Sequence, residues 1–445
     1  MKLNYPNFRN LSRMLRVIDV GSLTDVAEAV GRSQQTISHS IQALEDELGV
    51  RLFERNSLGA HPTREALVLG ERVRSAIAHL SKARDVLRSQ GGASSSSRGT
   101  RVWAFNVSNQ HIFIFLSLCE QHESKRVAGE LHLDVSAVRK AIRALEAQVG
   151  QPLFEKASRG FLIPTEFAEL LARQIKLALA EIRAGLDELT SLGGVIQGEL
   201  VIGAAPHARS AVLPRIVARL RRKYPNLTLT MRYDSYDHLE RAVSYRDVDF
   251  VLGSERAQPA SPDVTAYPLL LDRMEILART DHPLARTPRA NIRQYLNAGW
   301  VLPPRYVPMR KRFDEFLRSR DLPEPVMAFE TGDAEIFKGL LLEMDCLALA
   351  LRCECTQEIE SGVLTFLPCP EELVALLREP VTLHMTFPTQ SSRAPSAQAF
   401  FDEAASVAAE MQQRYPRPNE AAVERASTER SSAERAVLSF RKGTI

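Results

Sequence analysis

At 445 residues the chain is too long for one ordinary domain, and with 44% apolar and 25% charged residues it has the make-up of a soluble globular protein. Its formal charge of +3 is too small to reveal a nucleic-acid partner, so a function of that kind has to rest on local geometry. Five cysteines, scattered and odd in number, argue against a disulfide framework and for a reducing compartment.

Leu15, Ile18, Val26, Ala27 and Val30 outline two short helices, and Gly31 marks a tight connection to a third. Ser33 can cap that third helix, Gln34 and Gln35 fill its first turn, and Ile37, Ile41, Leu44 and Leu48 make one face apolar. The opposite face carries Ser38, His39, Gln42 and Glu45. This order predicts a helix-turn-helix whose second helix enters the DNA major groove. Gly49 ends the helix, Arg51 to Arg55 read as a strand, and Asn56 to Pro62 form a hairpin wing around Gly59. Thr63 then opens a long helix running to about Leu87, with Ala66, Leu67, Val73, Ile77, Leu80 and Leu87 as its apolar stripe. So small a domain cannot cover so long a stripe, and the expected partner is the same helix in a second subunit. Residues 1–90 form this first domain, and 91–105, with GGASSSSRG, a flexible linker.

One hundred and one residues after Ile41 the pattern returns: IRALEAQVGQPLFEK, from Ile142, stands against IQALEDELGVRLFER. Residues 106–192 therefore form a second copy, with helices near His111 to Gln121, Lys125 to Leu131 and Val135 to Val149. A wing follows, then a long helix from Glu166 to about Leu192. The stripe of that helix, through Phe167, Leu170, Leu171, Ile175, Leu179, Ile182, Leu186 and Leu189, is the better spaced, which favours it for dimerisation.

From Gly198 strands and helices alternate, predicting an α/β domain with a largely parallel sheet. Its first lobe spans 198–271 and its second 272–387, with strands at Met274 to Thr280, Gly299 to Leu302, Val326 to Phe329 and Cys346 to Leu351. Residues 388–411 return to the first lobe and add a closing helix. Residues 412–445, rich in Arg, Glu, Ser and Ala, read as a disordered tail. No apolar run approaches the ~18 residues of a membrane span and the first residues lack the apolar core of a signal peptide, so the expectation is a cytoplasmic protein with no membrane partner.

The whole pattern resembles the LysR-type transcriptional regulators, with the DNA-binding domain present twice. The carrying residues are Ser33, Gln34, Ile37, Ser38, Ile41, Leu44, Glu45, Leu48, Gly49, Leu52, Phe53, Arg55 and Thr63. Downstream, LVIG at Leu200, VLPRIVARLRRKYPNLTL from Val212, DVDFVLG at Asp247 and the His282-Pro283 pair match the family's effector domain. The resemblance implies a multidomain chain: two α-rich winged helix-turn-helix domains with long linker helices, then a two-lobed α/β effector-binding domain of periplasmic-binding-protein type. It implies a sequence-specific regulator controlled by a small-molecule effector, without a cofactor or enzymatic activity. Duplex DNA, copies of the chain as a homodimer or homotetramer, and RNA polymerase in the case of an activator are the expected partners.

In the first copy Gln34 is the leading base reader, since its amide can donate and accept at an adenine edge. Ser33, Gln35, Thr36, Ser38, His39 and Gln42 are its neighbours, and Arg32 and Arg55 phosphate contacts. In the second copy Asp134-Val135-Ser136 stands where Ser33-Gln34-Gln35 stands; Asp134 can still cap the helix but the Ser-Gln pair is lost, and Ser136, Arg139, Lys140, Arg143 and the wing residue Arg159 are the candidates for phosphate or guanine. The effector is expected at strand-to-helix turns, where His207, Arg209, Ser210, Arg305, Thr331 and Gly332 fall, and the two arginines suit an anionic molecule. Cys353 and Cys355, two apart on a strand, lack the further ligands of a metal site. The competing reading is a small-molecule sensor whose winged helices, at least the second, serve dimerisation or protein contact.

Overall fold

The computed structural model describes residues 5–56, 59–89, 108–157, 161–253, 259, 261–287, 290–389 and 394–414. The predicted linker at 91–105 and nearly all of the predicted tail lie outside them. The chain forms two compact units, Met1–Ile196 and Gln197–Ile445.

The first unit opens with α1 (Phe8–Val20), α2 (Leu23–Val30) and α3 (Gln34–Leu48), the wing strands β1 (Phe53–Asn56) and β2 (Gly59–Pro62), and the long α4 (Arg64–Ser89). The second copy repeats this as α5 (Asn109–Gln121), α6 (Ser124–Glu130), α7 (Val135–Val149), β3 (Phe154–Lys156), β4 (Leu162–Pro164) and α8 (Glu166–Leu192). The same local chemistry sets both. Glu45 accepts from the Leu52 amide at 2.7 Å and Glu146 from the Leu153 amide at 2.9 Å, tying each third helix to its wing. Thr63 and Thr165 cap α4 and α8, each accepting at 3.2 Å from the amide three residues on. Gly21 and Gly31 end α1 and α2 in the left-handed conformation; His122 and His132 hold those turns in the second copy.

The long helices correct two expectations. The buried stripe of α4 is Ala66, Leu69, Val73, Ala76, Leu80 and Ala83, whereas Leu67 is 49% exposed. The spacing alternates three and four, as in a coiled-coil seam, and the small alanines let another helix come close. That helix is α8 of the same chain and not α4 of a second subunit. Arg72 on α4 reaches Glu181 at 2.9 Å and also pairs with Glu188. A Cβ at Gly185 would stand 2.9 Å from the Arg72 Cβ, so only glycine admits this approach. Both copies thereby share one hydrophobic core, from Phe8 to Leu189.

The second unit comprises β5 (Gly198–Ala204), α9 (Pro206–Ala211), α10 (Leu213–Lys223), β6 (Leu227–Arg232), α11 (Tyr236–Ser244), β7 (Phe250–Gly253) and the long β8 (Val264–Arg279). There follow α12 (Ile292–Leu296), β9 (Trp300–Leu302), α13 (Pro308–Ser319), β10 (Met327–Glu330), α14 (Ala334–Glu343), β11 (Leu347–Leu351), α15 (Thr356–Glu360), β12 (Leu364–Phe366), α16 (Val374–Arg378), β13 (Pro380–Pro388) and α17 (Pro395–Arg414).

The strands lie in the order β10-β9-β11-β8-β13-β7-β5-β6, with β12 on β8. Pairing is parallel at both ends of the sheet and antiparallel around β8 and β13, so the sheet is mixed where a largely parallel one was expected. The predicted strand from Met274 is the second half of β8. Pro268 sits in the first half at a register shift opposite Leu383 and His384, and a proline inside a run reads as a break in sequence. The lobe division drawn between 271 and 272 falls within this one strand.

Candidate nucleic-acid interface and effector cavity

The reading face of α3 is set by its cap. Ser33 accepts from the Thr36 amide at 3.2 Å, and the two hydroxyls share a hydrogen bond of 2.8 Å, so both are committed to the helix start. Arg32, Ser33, Gln34, Gln35, His39 and Gln42 are exposed, while Thr36 and Ser38 are half-buried. Gln42 donates to Asp46 at 2.9 Å. Glu45, expected on this face, is buried and turned to the wing. The Arg55 side chain lies outside what the structure describes.

A basic stripe on α1 joins this face, and the sequence reading missed it. Arg9, Arg13 and Arg16 fall four and three residues apart, on one side of the helix. Burial, and then the nearby charges of Arg32, Arg9 and Arg16, lower the Arg13 pKa, which marks four cations gathered beside the start of α3. Arg13 also donates to Ser40 in the middle of α3, fixing the two helices together.

In the second copy Ser136, Arg139, Lys140 and Arg143 are all exposed on α7. Asp134 makes no side-chain cap, contrary to expectation. Arg159 falls outside the described residues. The positions of Arg139, Lys140 and Arg143 are those of Ser38, His39 and Gln42, so this face of α7 carries three cations where α3 has none. Conversely, Gln110, Ile114, Ser117 and Leu133 stand where the first copy has Arg9, Arg13, Arg16 and Arg32.

The second unit holds a cavity of about 340 Å³. Val301, Pro303, Phe337, Leu349 and Val381 give it apolar walls, and His207, Arg312, Thr331 and Glu354 bring polar groups to it. Of the six residues expected at the effector site, His207, Thr331 and Gly332 line the cavity. The other three do not. Arg209 stacks over the Tyr233 ring at 5.4 Å, Ser210 donates to the His207 carbonyl at 3.3 Å, and Arg305 pairs with the exposed Glu324. An anionic ligand argued from Arg209 and Arg305 therefore loses its basis.

Arg312 takes that place. It lies in the second turn of α13, and the start of this helix, which no side chain caps, opens on the cavity through Val307, Pro308 and Met309. Arg312 also pairs with Glu379. Burial pushes the His207 pKa down to about 4, helped by the charge of Arg209, and its Nε2 is buried without a hydrogen-bond partner. Burial pushes the Glu354 carboxyl up to about 7 against the pull of Lys338.

Glu354 belongs to a 3-10 turn, Arg352–Cys355, and not to the strand expected there. Asp272 holds the turn by accepting from the Cys353 amide at 2.9 Å. Both thiols are buried, and that burial pushes their pKa values up, away from the reactive thiolate form. Among the described residues no group of three His, Cys, Asp or Glu side chains could hold a metal ion, and no helix is long and apolar enough to cross a membrane.

Comparison with known families matches residues 8–67 and again 110–169 to the bacterial regulatory helix-turn-helix protein of the lysR family. Residues 193–409 match the LysR substrate binding domain. The HTH-type transcriptional regulator GalR of Pseudomonas putida is 31% identical over 363 residues, 82% of this chain and 89% of that relative. The chain belongs to the LysR family. It is a DNA-binding transcriptional regulator with an effector-binding domain, and its helix-turn-helix occurs twice.

Two solved LysR-type structures are similar. Full-length LysG of Corynebacterium glutamicum with bound effector Arg is 18% identical, with 68% of this chain and 98% of that one covered and a TM-score of 0.46. CbnR complexed with its target DNA is 14% identical, with 67% and 99% covered and the same TM-score.

Proposed function

We propose that this LysR-family regulator reads base edges with Gln34 on α3 and takes its effector in the cavity between His207, Arg312, Thr331 and Glu354. The exposed, neutral, hydrogen-bonding first turn of α3 carries the first half of this reading. An amide there can pair with adenine N6 and N7, and the cations of Arg9, Arg13, Arg16 and Arg32, gathered beside it, would attract the flanking phosphates. The cavity chemistry carries the second. At neutral pH it combines the Arg312 cation, a neutral imidazole, a carboxyl near its midpoint and an uncapped helix start. This set favours a small molecule with an apolar body and one carboxylate, seated toward Arg312. Such a ligand shifts the regulator between states only by its difference in affinity for them.

The test is a duplex selected by the full-length protein from a randomised pool, titrated at fixed salt against Gln34→Ala and parent. Loss of one bidentate base contact should weaken binding to the selected duplex by about 5- to 150-fold, with little change on unrelated DNA. Equal binding of both duplexes by the parent would remove the reading.

A further inference from the structure

We infer that one chain, by itself, is the complete two-reader module, and that it reads a composite site of two unlike half-sites, α3 on one and α7 on the other. The inference rests on the DNA-reading assignment of α3 and extends it to α7.

The geometry of the first unit is that of a dimer folded into one chain. As the chain advances along α4 from Arg72 to Leu80, its partners on α8 retreat. Arg72 meets Glu181 and Glu188, while Leu80 lines a small void with Ile175, Ala178 and Leu179. The helices are therefore antiparallel, the arrangement produced by a two-fold axis that crosses the pair. Symmetry also predicts that residues near the axis touch their own counterparts. Phe8 and Asn109 are counterparts in the repeat, and the Phe8 amide donates to Asn109 Oδ1 at 3.4 Å. Leu80 and Ile182 are counterparts in the long helices, and both line the same void. A two-fold relation between recognition helices matches the local two-fold axes of duplex DNA, as in dimeric helix-turn-helix proteins.

The pair is heterotypic by construction. Where α4 has Arg72, α8 has Gln174; where α8 has Glu181 and Glu188, α4 has His79 and Val86. The ion cluster thus forms in an α4–α8 pair and has no counterpart in α4–α4 or α8–α8. Gln174 is itself buried with Oε1 unpartnered, the imperfect echo of Arg72 across the axis.

The two readers carry different chemistry. Helix α3 contains three acids and no lysine or arginine, and its copy draws its cations from α1 and Arg32. Helix α7 contains three cations and one acid, and the exposed Arg139, Lys140 and Arg143 replace the neutral set at the same positions. Arginine there suits guanine O6 and N7 or phosphate, whereas glutamine suits adenine. The half-site under α7 is accordingly expected to be richer in guanine and its binding more sensitive to salt.

The test selects duplexes from a randomised pool with the full-length protein and with two variants altered only at exposed positions, Gln34→Ala and the triple Arg139→Ser, Lys140→His, Arg143→Gln. A consensus of two unlike elements in fixed relative orientation is expected. Gln34→Ala should relax one element and the triple variant the other, each by about tenfold or more on its own element. A consensus of two identical inverted elements, indifferent to the triple variant, would overturn the inference while leaving α3 as a reader. Absence of any consensus with the parent protein would instead remove the DNA-reading assignment itself. Circular dichroism of the variants identifies any loss that comes from unfolding.

Discussion

At the residue scale the effector domain stores opposed proton equilibria. Burial holds both His207 and His384 down at about 4, against about 6.5 in an unfolded chain. As pH falls through that window the unfolded chain takes up two protons that the folded one refuses. The stability these neutral rings lend above pH 6.5 is thus lost toward pH 4, up to about 3 kcal/mol for each. Glu354 acts in the other direction. Its carboxyl is raised to about 7, so its contribution is present below the unfolded value near 4.5 and is lost as pH rises through 7. Urea unfolding across pH should therefore find His384→Gln with a shallower loss between pH 6.5 and 4. Glu354→Gln should gain on the parent at pH 8 and match its relative stability at pH 4. Parallel curves for parent and variants would contradict these assignments.

At the scale of elements, the α4–α8 pair joins the two winged helices. Arg72, Glu181 and Glu188 are largely shielded, so removing the cation strands two carboxylates in a poorly hydrated seam. Arg72→Ala should cost about 3–5 kcal/mol in denaturant unfolding of the first unit, and Arg72→Met, which fills the space, should cost nearly as much because the carboxylates remain unpaired. Gly185→Val should also destabilise, since its side chain would collide with Arg72 and Leu69. Exposed Leu67→Ala is the control and should be within about 0.5 kcal/mol of the parent.

These elements also show what a sequence reveals. The helices, wings, repeat and most strands were legible because each is specified locally, by caps such as Ser33 and Thr165 and by apolar period. Which helix covers α4 was not, because the ion partners of Arg72 lie more than a hundred residues away. Of the residues singled out at strand-to-helix turns, His207, Thr331 and Gly332 line the cavity. Arg305 and Arg209 shared that signal, yet their side chains turn to Glu324 and Tyr233. Arg312 and Glu354 carry no local mark; Glu354 lies between two cysteines whose spacing raises a metal reading that the lack of further ligands turns away. The basic stripe Arg9, Arg13 and Arg16 did carry a helical period and could have been read.

At the scale of the whole molecule, two winged helices in one chain change the count of subunits on DNA. A conventional two-fold reader needs two chains for two half-sites, and its occupancy depends on their association. Here the second reader is held beside the first by the seam between α4 and α8, so its local concentration is fixed by the fold and not by the amount of protein. Sedimentation of the full-length protein with its selected duplex should saturate at one chain per pair of unlike elements. Saturation at two chains per pair would place each reader of the pair on a different chain.

The neutral face of α3 and the cationic face of α7 also bear on how such a regulator diverges. In a homodimer every substitution in the recognition helix is made twice, so both halves of its target must change together. In the fused pair a single substitution alters one half-site and leaves the other to hold the complex in place. A promoter can then drift by one base pair at a time while its regulator follows, a path that symmetry closes to identical subunits.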